Sequence, residues 1–141
     1  MKVFLERIND DFVFEVKNQN GHSVILDNIS KLNGKVMGVS PMELLLMGVA
    51  GCSSIDVVSI LKKQKKKISS LKMEVNGIRE KGKIPSLFSH INIHVSIEGN
   101  ISKKKVIQAV SLSFDKYCSV SKTLESTAKI SYTIILNGEK I

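Results

Sequence analysis

The densest hydrophobic stretch of the chain runs from Met42 to Ala50, where nearly every side chain is apolar. Its borders predict a helix over Pro41 to Lys63. Ser40 stands at the N-cap, Pro41 suits the first helical position, and Glu43 completes an S-x-x-E capping box. The lysines from Lys62 onward face the negative end of the helix dipole. At 1.5 Å per residue such a helix is roughly 35 Å long, the width of a small domain. A helix that is apolar all round must be covered all round, so a second copy of the chain is expected over part of it. Gly48 and Gly51 interrupt it at a cost of about 1 kcal/mol each against alanine. They imply close approach of another backbone, or space kept beside Cys52.

Elsewhere the pattern is two-residue alternation. Lys2 to Ile8, Phe12 to Val16 and His22 to Leu26 read as a small antiparallel meander, turning over Asn9 to Asp11 and at Asn20-Gly21. Asp27 to Val39, with Asn33-Gly34 and Gly38, reads as a loop feeding the helix. Leu71, Met73 and Val75 alternate with polar residues; Lys81 to Pro85 is a basic loop. Ser89, Ile91, Ile93, Val95 and Ile97 then make an apolar strand face opposite Phe88, His90, Asn92, His94 and Ser96. Ser102 can cap a second helix running towards Tyr117, Ser119 or Ser121 can start a short third one through Leu124, and Ile130 to Leu136 closes as a strand. Strands so interleaved with helices predict an α+β fold, an antiparallel sheet backed by a long central helix.

Length and composition narrow the function classes. At 141 residues one domain is expected. Ser53, Ser54 and Asp56 break the best candidate for a membrane-spanning run, and the charged N-terminus has no signal-peptide core, so a cytoplasmic protein with no membrane partner is expected. The net charge of +8 raises nucleic acid as a partner, but Arg7 and Arg79 are the only arginines and tryptophan is absent. The tools of base readout and stacking are therefore scarce, and a basic nucleic-acid-associated protein is the least favoured reading. Two cysteines, Cys52 and Cys118, are too few for a disulfide scaffold and match no zinc or CxxC spacing. His90 and His94 share a strand face about 13 Å apart, too far for one metal; no metal or cofactor is expected.

The segments SPMELLLMGVAGCSSIDVVSILKK, LFSHINIHVSIEG and KYCSVSKTLE resemble the OsmC/Ohr family, and the resemblance covers most of the chain. It implies a single OsmC-like domain over 1–141 and an intertwined homodimer with active sites at the subunit boundary. It further implies a thiol-dependent reductase of organic hydroperoxides involved in stress response. Cys52 would attack the peroxide and become a sulfenic acid, Cys118 would resolve it to a disulfide, and an external dithiol donor would reduce that. The alternative is a non-catalytic dimer of the same fold that binds an apolar small molecule, with Cys52 an inert core residue.

Only a thiolate attacks peroxide. The family supports it with an arginine from the N-terminal strands, held by a glutamate directly after the helix proline. Here that position is Met42, and Arg7 is the only arginine in the meander. Glu43, next along, lies about 180° round the helix from Cys52 and suits the capping box better. Asp56 lies one turn beyond Cys52. It is expected to take over the positioning role by gripping Arg7 or a lysine that also reaches the sulfur; the opposing reading is that it merely repels negative charge there.

Overall fold

The computed structural model describes residues 1–28 and 35–141; the expected Asn33-Gly34 turn lies outside them. By backbone proximity the chain divides into two compact units, Met1–Leu45 and Leu46–Ile141.

The first unit is the expected meander. β1 (Val3–Arg7), β2 (Phe14–Asn18) and β3 (Ser23–Leu26) form an antiparallel sheet in the order β1-β2-β3. Asn18 organises the hairpin between β2 and β3, its side-chain oxygen accepting from the Asn20 and His22 amides. Val39 then returns beside β3, donating to Ile25 O and accepting from the Asp27 amide, both at 3.0 Å. Gly38 is required in this return, because a Cβ there would lie 2.5 Å from the Ile25 carbonyl oxygen. β1 is exposed along its whole length, with Val3, Phe4 and Leu5 all open.

Helix α1 (Pro41–Lys63) has the predicted bounds. The capping box closes in both directions. The Ser40 amide donates to Glu43 Oε2 at 2.7 Å, and the Glu43 amide donates to Ser40 Oγ at 3.1 Å. The two Ser40 donors hold the Glu43 carboxyl below the usual carboxylate range. At the other end Lys65 adopts a left-handed conformation (φ 55°). There Lys66 N–H bonds Leu61 O and Lys65 N–H bonds Lys62 O, the paired bonds of a Schellman stop.

In the second unit, β4 (Ser70–Arg79), β5 (Phe88–Glu98), β6 (Lys129–Leu136) and β7 (Glu139–Lys140) form a sheet in the order β4-β5-β6-β7. β4–β5 and β6–β7 are antiparallel, whereas β5–β6 is parallel. The α+β class stands, and the parallel pair follows from the connection. α2 (Lys103–Leu112), a π-helical turn (Ser113–Tyr117) and α3 (Ser119–Leu124) fill the link, long enough to carry the chain back to the same end. Ser102 stands at the N-cap of α2, but its hydroxyl makes no capping bond; its carbonyl accepts from Lys105 and Val106.

The core of this unit is the alternating face of β5. Ile91, Ile93, Val95 and Ile97 are fully buried, as are Val106, Ala109 and Val110 of α2. Phe88 departs from the alternation. A β-bulge at Ile78/Arg79 shifts the register and turns Phe88 inward, over Gly77. A Cβ on Gly77 would collide with the Phe88 ring and stand 3.0 Å from Leu46 Cδ2.

Along α1, Val49, Ser53, Val57 and Leu61 form the one fully buried stripe. Met47 and Ile55 remain 51% and 68% exposed, so the second unit covers only part of its stretch of this helix. By length and mean hydropathy α1 is long and apolar enough to cross a bilayer, against the expectation that Ser53, Ser54 and Asp56 break the run. Those three polar residues are outweighed by the apolar residues around them. Of the two expectations for the glycines, close approach of a backbone or space kept beside Cys52, the second holds. A Cβ on Gly48 would meet only Val120 Cγ1, at 3.6 Å, and one on Gly51 would meet nothing within 4 Å. Gly51 therefore borders open space beside Cys52, and among the described residues no other backbone presses on it.

Candidate thiol site

Cys52 precedes the buried Ser53, so it sits at the flank of the covered stripe and is half-buried. Asp56, four residues on, shares its face and is half-buried too. Ser53 anchors the local turn, its hydroxyl donating to Val49 O at 2.7 Å.

The second cysteine arrives through the π-helical turn. Phe114 stacks on Tyr132 of β6 at 4.9 Å between ring centroids, and the Tyr132 hydroxyl donates to Ser111 Oγ at 3.1 Å. These contacts pin the turn to the sheet. Its first residue, Ser113, is fully buried, with its hydroxyl 3.3 Å from both Ser53 O and Asp56 Oδ2. Its last bond is Cys118 N–H to Ser113 O at 2.8 Å. The wide turn thus grips α1 at one end and delivers Cys118 at the other. Single π-turns within helices frequently mark functional sites.

Cys118 is fully buried and occupies the N-cap position of α3. Ser121, one turn along, donates its hydroxyl to Cys118 Sγ at 3.0 Å. Burial pushes the Cys118 thiol above its usual range, the Ser121 hydrogen bond pulls it back in part, and the neighbouring Cys52 pushes it further up. Both cysteines are free thiols.

The two sulfurs and a carboxylate oxygen of Asp56 all lie within 4.8 Å of one another. Residues 66 positions apart in sequence are therefore neighbours in space. Between 46 and 141 no lysine or arginine lies within ion-pair distance of Asp56; its partner is the Ser113 hydroxyl.

The remaining expected site residues lie in the first unit. Glu43 is engaged in the capping box. Arg7, at the end of β1, donates through Nε to the Asp11 carbonyl at 2.9 Å. Two residues of the thiol site, Ser113 and Ser121, escaped the sequence reading. The C-x-x-S spacing of Cys118 and Ser121 was a usable signal, because a helix brings i and i+3 together. Ser113 carried none, since its place depends on the π-turn.

Comparison with known proteins places the sequence and the fold. The model of the family described as OsmC-like protein matches residues 33–133. Protein YhfA of Escherichia coli is 35% identical over 125 residues, spanning 88% of this chain and 90% of its own. The crystal structure of a hypothetical protein from Aquifex aeolicus is 31% identical with a TM-score of 0.79, covering 96% of each chain. The organic hydroperoxide resistance protein OhrB of Bacillus subtilis shares the fold at a TM-score of 0.65, 16% identity and 96% coverage of each chain. On the family match and the identity to YhfA, this chain belongs to the OsmC-like protein family.

Proposed function

We propose that the chain is a thiol-dependent reductase of organic hydroperoxides, with Cys52 as the attacking cysteine and Cys118 as the resolving one. The observation that carries this reading is the approach of the two sulfurs to within 4.8 Å. Cys52 is half-buried and open to a small substrate, whereas Cys118 is fully buried behind it. In the first step the Cys52 thiolate takes the distal peroxide oxygen, the O–O bond breaks, and the alkoxide leaves as alcohol on taking a proton. In the second step the Cys118 sulfur attacks the Cys52 sulfenic acid, an S–S bond forms, and the Cys118 proton leaves with the hydroxyl as water. The raised Cys118 thiol suits that role, since it keeps its proton until the sulfenic acid appears. An external dithiol then reduces the disulfide. The fold shared with the organic hydroperoxide resistance protein OhrB supports an organic hydroperoxide as oxidant, and so do the apolar residues around Cys52 in the sequence.

The working unit in this reading is a homodimer. Met47 and Ile55 of α1 and the whole of β1 are exposed, at about 1.5–3 kcal/mol for each large apolar side chain left in water. Sedimentation at micromolar concentration is expected to show twice the chain mass.

A second reading, a non-catalytic dimer that binds an apolar small molecule, is favoured by one observation. Asp56 stands beside both sulfurs with no lysine or arginine of residues 46–141 on it, so this unit supplies no cation to the thiol pair. Mass spectrometry after cumene hydroperoxide treatment separates the two. A Cys52–Cys118 disulfide is expected from the reductase, and two untouched thiols would overturn it in favour of the binder.

A further inference from the structure

The group that fits a peroxide site least well, Asp56, fits another chemistry. Cys52 Sγ, Cys118 Sγ and a carboxylate oxygen of Asp56 lie mutually within 4.8 Å, the only such three-ligand cluster among the described residues. A tetrahedral zinc ion with thiolate bonds of about 2.3 Å holds its sulfurs about 3.8 Å apart. The three atoms therefore need only small side-chain rotations to share one ion. The charge balance also changes sign. A carboxylate beside two sulfurs repels a thiolate, yet two thiolates and a carboxylate around a dication leave a net charge of only about −1.

The outer contacts match what a metal site requires. Ligand groups are usually held by a further hydrogen bond. Ser113 lies on Asp56 Oδ2 at 3.3 Å, leaving the other oxygen available, and Ser121 donates to Cys118 Sγ at 3.0 Å. Cys118 is fully buried and Cys52 half-buried, and Gly51 borders open space, so a fourth position faces outward on the Cys52 side. We propose that Cys52, Cys118 and Asp56 form a three-ligand site for a thiophilic divalent cation of the zinc class, with the fourth position open to water.

Binding involves no redox change. The cation replaces the two thiol protons, which pass to solvent as two metal–sulfur bonds form. It occupies both sulfurs, so the bound chain can neither be alkylated nor form a disulfide. The cation is thus a reversible lock on the thiol pair.

The test uses the reduced full-length chain with no peroxide present, so its outcome is independent of whether the chain turns over hydroperoxides. Cobalt(II) is titrated in and then displaced with zinc. Expected are one metal per chain, thiolate-to-cobalt charge-transfer absorption with the intense ligand-field bands of a tetrahedral site, and release of two protons. Zinc should protect both thiols of the wild-type chain from iodoacetamide. Asp56→Asn should weaken zinc binding by on the order of 10- to 100-fold, and Cys118→Ser should remove about half of the charge-transfer intensity. No metal uptake at micromolar zinc would overturn the proposal. So would binding that Asp56→Asn and Cys118→Ser leave unchanged, or zinc that leaves the wild-type thiols open to alkylation.

Discussion

Ser121 donates its hydroxyl to the sulfur of Cys118 at 3.0 Å, inside a fully buried corner of the second unit. That bond opposes the burial that pushes the Cys118 thiol upward. Ser121→Ala should therefore leave burial less opposed and make the Cys118 thiolate scarcer at neutral pH. A hydrogen bond to a charged group contributes about 1.5–3 kcal/mol, so disulfide closure after peroxide addition should slow by about tenfold or more. Formation of the Cys52 sulfenic acid should keep its rate. Stopped-flow measurement with a sulfenic-acid trap distinguishes the steps; equal slowing of both would refute the assignment.

The raised Cys118 thiol also gives the reduced chain an alkaline weakness. In the unfolded chain a thiol titrates near its ordinary value of about 8.5, while in the folded chain burial holds the proton longer. Below the ordinary thiol range Cys118 is protonated in both states and the stability is fully present. As pH rises above it, the unfolded thiol ionises first and draws the equilibrium towards unfolding. The loss is at most about 1.4 kcal/mol per pH unit, and it ends once the pH passes the folded value. Urea midpoints of the reduced wild type should fall more steeply from pH 8 to pH 10 than those of Cys118→Ala. Parallel slopes would count against it.

Helix α1 ends on a residue ill-suited to its conformation. Lys65 takes the left-handed position of the Schellman stop, where glycine is the usual occupant. Left-handed backbone costs an L-residue roughly 1–2 kcal/mol, of which glycine returns part to the entropy of the unfolded chain. Lys65→Gly should stabilise the fold by about 0.5–1 kcal/mol. A lower urea midpoint in the glycine variant would contradict this.

How much of this was legible in the sequence depends on the range of the signal. α1 was readable to its ends because caps, dipole charges and apolar run are all local, and the capping box closes as S-x-x-E implies. The β5 face was readable from alternation until the bulge opposite Ile78/Arg79, where Ser89 is passed over in the pairing and Phe88 turns inward, a register that alternation alone does not encode. The direction of β6 depended on how the linking helices return, which no periodicity encodes. The cysteines were identified through resemblance, and their proximity rests on the π-turn at Ser113–Tyr117. Ser113 itself was invisible, since its role exists only once that turn is folded against α1.

Asp56 offers the sharpest electrostatic test. Its carboxylate lies within 4.8 Å of both sulfurs, and its hydrogen-bond partner between 46 and 141 is a neutral hydroxyl, that of Ser113. If the carboxylate held a cation against Cys52, neutralising it would release that cation and slow attack by the sulfur. With no lysine or arginine of this unit in reach, simple repulsion is the stronger effect. Two unit charges about 5 Å apart interact by roughly 3 kcal/mol at an effective dielectric constant near 20. Water at the half-exposed Cys52 reduces that substantially, so a several-fold effect is expected. Asp56→Asn should therefore speed iodoacetamide alkylation of Cys52 at neutral pH in metal-free buffer. Asparagine keeps the shape and can still accept from Ser113, so loss of packing is not the cause. Slower alkylation in this variant would instead assign Asp56 to holding a cation beside the sulfur.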